Sequence, residues 1–285
     1  MNREEGAGGK YNVQNELLPL YGGISSKGSF MRVIAEAAHV EAADVMGSEL
    51  YLYNRMPGTL WGAQNEFISA PRLDDLQCAF SSLKGFLQSR KNAAICVHCV
   101  YDNEEVGSGT KQGAASTFLA DTLRRIVIAL GGQEEDYLRL LASSLMLSAD
   151  NAHGVHPNYP AKADPVNRPR LNGGVVVKYS ANQKYTTDAV SAALFGQICR
   201  SAQVPVQAFH NRSDMLGGST LGNLSNQQVA LNTVDIGLAQ LAMHSSYETA
   251  GAYDTDYLIR AAAAFFETAL TEIRTGTYRF QYPVL

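Results

Sequence analysis

The sequence has 285 residues, of which 46% are hydrophobic and 18% are charged, and its mean hydropathy of -0.13 is ordinary for a soluble globular protein. This composition excludes collagen-like, coiled-coil and disordered chains, and no apolar run approaches the roughly 18 residues of a membrane-spanning helix. The 23 basic and 27 acidic residues give a net charge of -4 without a basic cluster, so nucleic acid is not an expected partner. The opening residues lack the layout of a secretory signal, so a cytoplasmic location without a membrane partner is expected.

The four cysteines are too few for a disulfide scaffold in a chain of this length. The tetrapeptide CVHC at 96–99 looks like half of a zinc knuckle, but no second cysteine pair exists to complete a tetrahedral site. The surrounding AAICVHCV is a short apolar run that is rich in β-formers. It is therefore predicted to be a buried strand.

The first 60 residues contain a Gly-rich tip, one helical stretch and one short strand, and they form no convincing domain alone. The helical stretch is MRVIAEAAHVEAADV and the strand is ELYLYN.

Helical and strand patterns alternate from about Pro71 onward, which is typical of an α/β domain with a mostly parallel sheet. Apolar residues at spacings of three and four predict an amphipathic first helix: Leu73, Leu76, Phe80, Leu83 and Leu87. The further predicted helices are STFLADTLRRIVIALGG, EEDYLRLLASS, TTDAVSAALFGQICRSA with a threonine at its N-cap, and YDTDYLIRAAAAFFETALTEIR. The further predicted strands are LMLSAD, GGVVVKYSA, VPVQAFH and TVDIGLAQLAMHSS.

Acidic residues and a histidine follow the predicted strands, at Asp102 to Glu105, Asp150 and His244. In open α/β sheets ligands bind outside the carboxyl ends of the strands, so these side chains are expected to converge. Asp74 lies at the same edge of the sheet if its helix begins beside the ligand-binding crevice. Packed carboxylates raise each other's pKa, so such a cluster needs cations to remain ionised. The sequence therefore predicts a metal site.

Carboxylates and histidine without thiolates suit a pair of zinc or manganese ions about 3.5–4 Å apart, of the kind that activates water for hydrolysis. A carboxylate that is not a ligand must then accept the proton of that water, and the doublet Glu104–Glu105 offers one residue for each role. For any single acid the competing interpretation is a helix cap or a solvated loop residue.

Six motifs resemble, in order and approximate spacing, those of the aspartyl aminopeptidase family of dinuclear zinc peptidases. They are APRLDDL (70–76), YDNEEVGS (101–108), SADNAHGVHPNYP (148–160), KYSANQKY (178–185), SDMLGGSTLG (213–222) and TVDIGLAQLAMHSSYET (233–249). The resemblance covers about residues 12 to 267. It implies the phosphorylase-like α/β/α sandwich of zinc exopeptidases with a mostly parallel central sheet. It further implies two Zn²⁺ ions per subunit, with Mn²⁺ or Co²⁺ as alternatives, a large homo-oligomer, and the removal of N-terminal Asp or Glu from peptides.

The resemblance also implies roles for single residues. Asp74 matches the carboxylate that bridges both metals, and Glu105 and His244 match ligands of one of them. Asp150 matches a ligand of the other metal. Glu104 matches the general base.

Three further residues, His153, Lys178 and Tyr185, match family positions that contact substrate. An ammonium at Lys178 would pair with the acidic side chain of the substrate. The competing interpretations are a buried, satisfied histidine for His153 and a solvated strand lysine for Lys178.

Two more acids lie beside the matched residues. Asp75 stands where the family often has Asn. Glu248, four residues beyond His244, is expected to orient that imidazole as a hydrogen-bond acceptor if the turn between them is helical.

The chain also departs from the family pattern. It lacks the family's upstream His-Thr-Asp motif, which supplies a further ligand to the metal held by Asp150, so that second site is expected to hold zinc weakly. Residues 1–60 are interpreted as a remnant of the family's inserted dimerisation domain, and residues 61–285 as the catalytic domain. Three functions remain open: an acidic-residue aminopeptidase, a truncated non-catalytic member that acts by association, and a dinuclear aminopeptidase of glutamyl or broad specificity.

Overall fold

The computed structural model describes residues 12–215 and 217–282, which divide into two compact units, one ending at Leu52 and the other beginning at Tyr53. The first unit contains helices α1 (Val13–Glu16) and α2 (Phe30–Ala38). Helix α2 confirms the predicted helical stretch but ends before His39, whose φ of 58° is left-handed. The predicted strand ELYLYN is wrong, since residues 49–54 form neither strand nor helix. The domain boundary predicted after residue 60 stays a prediction.

The second unit contains the sheets. Its helices are α3 (Leu73–Gln88), α4 (Phe118–Ala129), α5 (Glu134–Ala142), α6 (Ala189–Ser201), α7 (Leu221–Ser225) and α8 (Ala252–Glu267). Its strands are β1 (Thr59–Trp61), β2 (Phe67–Ala70), β3 (Leu145–Ala149), β4 (Ala152–His153), β5 (Val175–Tyr179), β6 (Val206–His210), β7 (Asn232–Gly237), β8 (Ala239–Leu241), β9 (Glu248–Gly251), β10 (Ala269–Arg274) and β11 (Thr277–Gln281). This alternation confirms the predicted α/β class. Within the described ranges, no helix has the length and apolar character needed to span a bilayer.

Two sheets position the residues of the candidate site. The four-stranded sheet has the order β3-β7-β5-β6, with parallel pairs β3–β7 and β5–β6 and an antiparallel contact between β5 and β7. The five-stranded sheet has the order β1-β2-β9-β8-β4, in which only β4 and β8 are parallel. Strands β10 and β11 form a separate hairpin.

The core lies between the four-stranded sheet and helices α6 and α8. Strands β5 and β7 are buried along almost their whole length, as expected for central strands that are covered on both faces. Their side chains pack with Phe195 of α6 and Leu258 of α8, both fully buried. Burying a side chain of this size stabilises the fold by roughly 1.5–3 kcal/mol relative to leaving it exposed.

Helix α3 packs on its small-residue face rather than on its apolar stripe. Cys78, Ser81 and Gly85 are buried, and a Cβ atom on Gly85 would lie 2.5 Å from the Cβ of Ala262 in α8, so the two helices approach too closely for a side chain there. Of the five large residues of the predicted stripe, Leu73 is buried, and the other four are between 40% and 67% exposed: Leu76, Phe80, Leu83 and Leu87. Local periodicity therefore predicts the helix correctly but not the face that it buries.

Three other predictions about elements need correction. The segment AAICVHCV belongs to no strand, because it forms no ladder with any described strand and is held by side chains instead, such as Cys96 Sγ at 3.1 Å from the Phe266 carbonyl. Helix α6 is capped by Asp188, which accepts from the Ser191 N–H at 2.7 Å, and not by a threonine. The C-terminal helix ends at Glu267, after which the chain turns into the β10–β11 hairpin.

Candidate metal and catalytic site

The four predicted metal ligands converge at one edge of the two sheets. Asp74 follows β2 at the start of α3, where its φ of -83° and ψ of 112° are not helical. His244 lies in the turn between β8 and β9 with a left-handed φ of 65°. Asp150 directly follows β3, and Glu105 lies on the loop that leads towards α4. The two sheets thus contribute different members of the cluster.

A first triad consists of Asp74, Glu105 and His244, whose ligand atoms lie within 4.8 Å of one another. His244 Nε2 is 3.1 Å from Asp74 Oδ2 and 3.3 Å from Glu105 Oε2. The Asp74 side chain is 3% exposed and that of His244 is 64% exposed, so the triad is anchored in the protein and open to solvent on one side. Two carboxylates and an imidazole are suitable donors for zinc.

A second triad consists of Asp74, Asp75 and Asp150, again with ligand atoms within 4.8 Å. Sequence reasoning gave Asp75 no ligand role; its only signal was the Asp–Asp doublet after Pro71. The Oδ1 atoms of Asp74 and Asp75 are buried and accept no hydrogen bond from the described residues. Buried acceptors of this kind are costly unless they are paired, and a divalent cation satisfies them well, so the residues present fit the metal that the resemblance implies.

The pKa values of the cluster reflect its excess of negative charge. Burial, followed by the charges of Asp150 and Glu105, raises the pKa of Asp74 to about 8. Burial and Asp150 raise the pKa of Asp75 well above its ordinary value, and burial also raises the pKa of Glu105. Without a cation, the site therefore favours protonated carboxyl groups at neutral pH.

Glu104 belongs to neither triad. It is half-buried, and burial together with the charges of Asp150 and Glu105 raises its pKa to about 7. A carboxylate with a pKa near the working pH can both accept and return a proton. Its place beside the triads is suited to a general base.

Lys178 and Tyr185 are buried together on the inner side of Asp150. Lys178 Nζ lies 3.2 Å from Asp150 Oδ2 and 5.6 Å from the centre of the Tyr185 ring. The Lys178 side chain is only 3% exposed, which contradicts the interpretation as a solvated strand lysine. Burial opposes its charge, but Asp150 and Tyr185 outweigh burial and raise its pKa.

His153 lies on β4 and is exposed, which contradicts its interpretation as a buried, satisfied histidine. Partial desolvation of the ring, followed by the positive charges of Lys178 and His244, lowers its pKa. The imidazole is therefore neutral near pH 7 and can either donate or accept a hydrogen bond.

Glu248 does not contact the site in the predicted way. The residues between His244 and Glu248 are not helical, and Glu248 accepts hydrogen bonds from backbone N–H groups rather than from the imidazole. The donors are the backbone N–H groups of His244, at 2.7 Å from Oε1, and of Asp74, at 2.9 Å from Oε2.

The raised pKa of Asp74 predicts a pH dependence for the metal-free chain. The pKa rises from 3.8 to about 8 on folding, so the folded state holds this proton more tightly than the unfolded state. Its contribution to stability is complete below pH 3.8 and is lost as the pH rises through about 8. Differential scanning fluorimetry of the chelated chain should therefore show a falling Tm from about pH 5 to about pH 8.5, and saturating zinc should remove most of that fall. Equal pH slopes with and without zinc would contradict this prediction.

An α/β domain with two carboxylate-rich triads beside its sheets has the donor set of a metal site, and this arrangement is typical of metal-dependent hydrolases. The chain belongs to the aminopeptidase I zinc metalloprotease family (M18), whose sequence profile matches residues 9–266. Its fold is the phosphorylase-like α/β fold of the M18 aminopeptidases, as the sequence resemblance implied.

Relatives and solved structures agree with this membership. A probable M18 family aminopeptidase 2 of Clostridium acetobutylicum is 43% identical over 270 residues, which are 93% of this chain and 62% of the relative. The crystal structure of yeast aminopeptidase 1 matches with a TM-score of 0.75 and 30% identity, over 84% of this chain and 56% of the yeast chain. The structure of an S. cerevisiae aminopeptidase 1 dodecamer matches with a TM-score of 0.73 and 29% identity, over 83% and 54% of the two chains. The chain thus spans about three-fifths of the length of the curated relative.

Proposed function

We propose that this chain carries the catalytic apparatus of an aminopeptidase that releases N-terminal Asp or Glu from peptides with metal-activated water. The supporting observation is that Asp74 is shared by two carboxylate-rich triads, with the unshared acid Glu104 beside them. A dinuclear hydrolase needs this combination of a bridging carboxylate and a separate proton acceptor. A non-catalytic member would have no use for Glu104.

The mechanism assigns each side chain a task. Asp74, Glu105 and His244 would hold one ion, and Asp74 with Asp75 and Asp150 the other. Bound ions supply Lewis-acid polarisation of the scissile carbonyl and lower the pKa of the attacking water. The Glu104 carboxylate accepts a proton from that water and returns it to the nitrogen of the leaving amine.

A peptidase assay tests the proposal. The purified chain is incubated with Asp-, Glu- and Leu-initiated peptides after addition of zinc, manganese or cobalt. We expect release of the acidic residues at a higher kcat/KM than release of Leu. Equal rates on all three peptides would favour the broad-specificity alternative, and metal binding without any turnover would favour the truncated, non-catalytic alternative.

The donor sets predict unequal occupation of the two triads. The first contains an imidazole, whereas the second contains three carboxylates and no nitrogen donor. Zinc prefers nitrogen and sulfur donors to a greater extent than manganese, which is well served by carboxylates. Elemental analysis after dialysis against zinc should therefore find about one zinc per chain, with manganese able to enter the second triad. Two retained zinc ions per chain would contradict this expectation.

We propose that Lys178 selects acidic substrates. An ammonium has three donors, and Asp150 accepts from one of them. Because the Lys178 side chain is only 3% exposed, a substrate carboxylate would have to enter beside Asp150 to reach the other donors. Lys178→Met should lower kcat/KM for Asp-initiated peptides more than for Leu-initiated peptides, whereas the exposed Lys84→Met should change neither. An equal loss on both substrates would contradict a specificity role and would indicate that Lys178 only positions Asp150.

Assembly and location complete the proposal. The S. cerevisiae aminopeptidase 1 structure is described as a dodecamer, and on this likeness we propose a homo-oligomer, to be tested by light scattering. A cytoplasmic location is supported by the cysteines, all four of which are free thiols. Peptides, rather than nucleic acid or membranes, remain the proposed partners.

A further inference from the structure

Glu248 occupies a central position between two predicted metal ligands. It is the first residue of β9, the strand that lies between β2 and β8, and it is only 2% exposed. Strand β2 leads to Asp74, and its last residue Ala70 pairs with Glu248. Strand β8 leads into the turn that carries His244.

The two carboxylate oxygens of Glu248 are both used, and each holds a different part of the chain. Oε2 accepts from the backbone N–H of Asp74 at 2.9 Å, and Oε1 accepts from the backbone N–H of His244 at 2.7 Å. Neither donor has a place in regular structure, since Asp74 is not helical and His244 has a left-handed φ. The left-handed conformation of His244 is sparsely populated and persists only where surrounding contacts fix it.

We propose that Glu248 is a positioning residue that holds the backbones of Asp74 and His244 together and so preforms the first triad for zinc. The inference rests on the proposed metal site. Both carboxylate oxygens accept from backbone N–H groups, and Glu248 belongs to neither triad of the described residues, so we assign it no ligand role. Fixing the two backbones sets the 3.1 Å separation between the His244 imidazole and the Asp74 carboxylate.

A carboxylate is the side chain that this position requires. Glutamine has the same shape but offers one acceptor oxygen and one NH₂ group, which would face a backbone N–H. Glu248→Gln therefore breaks one of the two hydrogen bonds with almost no change in volume. The remaining bond can hold only one of the two backbones.

The chain offers a matched control for a purely structural role. Asp254 is also fully buried, and its two oxygens accept from the backbone N–H groups of Asn172, at 2.6 Å, and Gly174, at 2.9 Å. These three residues belong to neither triad. Asp254→Asn removes the same kind of interaction from the same fold.

The experiment measures zinc affinity by chelator competition, the visible absorption of bound Co²⁺, and Tm, for the wild-type chain and both variants. Glu248→Gln should bind zinc about 10–100-fold more weakly and change the Co²⁺ spectrum. Asp254→Asn should lower Tm by about as much as Glu248→Gln does. Its zinc affinity and Co²⁺ spectrum should remain as in the wild type. Unchanged affinity in Glu248→Gln, or an equal loss in both variants, would overturn the inference. Failure of the wild-type chain to bind zinc would instead overturn the proposed metal site, and the inference with it.

A second measurement does not depend on folding of the variant. In the metal-free wild-type chain, the backbone amides of Asp74 and His244 should exchange hydrogen as slowly as those in the β2–β9 ladder. Rapid exchange at these two amides would show that Glu248 does not hold them and would overturn the inference.

Discussion

Replacing Glu104 with Gln is expected to lower kcat on an Asp-initiated peptide by about 10²–10⁴-fold, the usual contribution of general acid–base catalysis. The amide has nearly the same shape as the carboxylate but cannot accept a proton from water. Glu104 belongs to neither triad, so metal content should not change. In the metal-free chain burial and the neighbouring carboxylates raise its pKa to about 7, whereas the amide has no proton to exchange.

The measurement pairs steady-state kinetics with elemental analysis on the same samples. Glu135→Gln is the control, because Glu135 is exposed on α5, where it pairs with Arg139, so kcat should remain at the wild-type value. Full turnover in Glu104→Gln with metal bound would remove the general-base role. Loss of turnover together with loss of metal would mean that Glu104 is a ligand instead.

Asp74→Asn should impair both metal sites at once, because Asp74 is the residue that the two triads share. We expect the affinity for zinc to fall by more than the roughly 10–100-fold that loss of an outer-shell partner costs. Asp150→Asn should weaken only the second site. The metal-free Asp74→Asn chain should also be more stable than wild type at about pH 8.5, since the buried charge and its repulsion by Asp150 and Glu105 are gone.

Zinc titrations and thermal unfolding measure both effects in the same preparation. Asp121→Asn, an exposed position in the first turn of α4, should behave as wild type in both assays. An Asp74→Asn chain that still retains zinc as tightly as wild type would contradict the shared role of this residue. A lower stability than wild type without metal would contradict the electrostatic argument.

The sequence predicted the parts of the fold that local patterns encode. Strands β3 and β5 are short apolar runs, and Asp150 directly follows β3. Since ligands bind outside the carboxyl ends of strands in open α/β sheets, this position was enough to predict Asp150 as a site residue. The five-stranded sheet was not predicted. Strand β4 contains only two residues, and the single strand predicted over TVDIGLAQLAMHSS is in fact two strands, β7 and β8, which belong to different sheets. The existence of β4 and β8 depends on tertiary pairing rather than on local propensity.

Two features of the site also lay outside the reach of sequence reasoning. Asp75 lies in the second triad, at the start of α3, where the backbone is not helical. No periodicity in the sequence predicts this departure from helical geometry. Glu248 was predicted to bond the imidazole of His244, since spacing alone suggests a helical turn. The left-handed φ of His244 and the β9 register direct the carboxylate to the backbone instead.

The sharing of Asp74 couples the two binding equilibria. One carboxylate carries a single negative charge, so an ion in either triad reduces the attraction that Asp74 offers to an ion in the other. Such linkage is reciprocal, whichever ion arrives first. The chain should therefore bind the two ions stepwise with negative cooperativity. At free metal concentrations between the two dissociation constants, it exists mainly as a species with one bound ion. An enzyme that needs both ions would then respond to the supply of free metal over that interval.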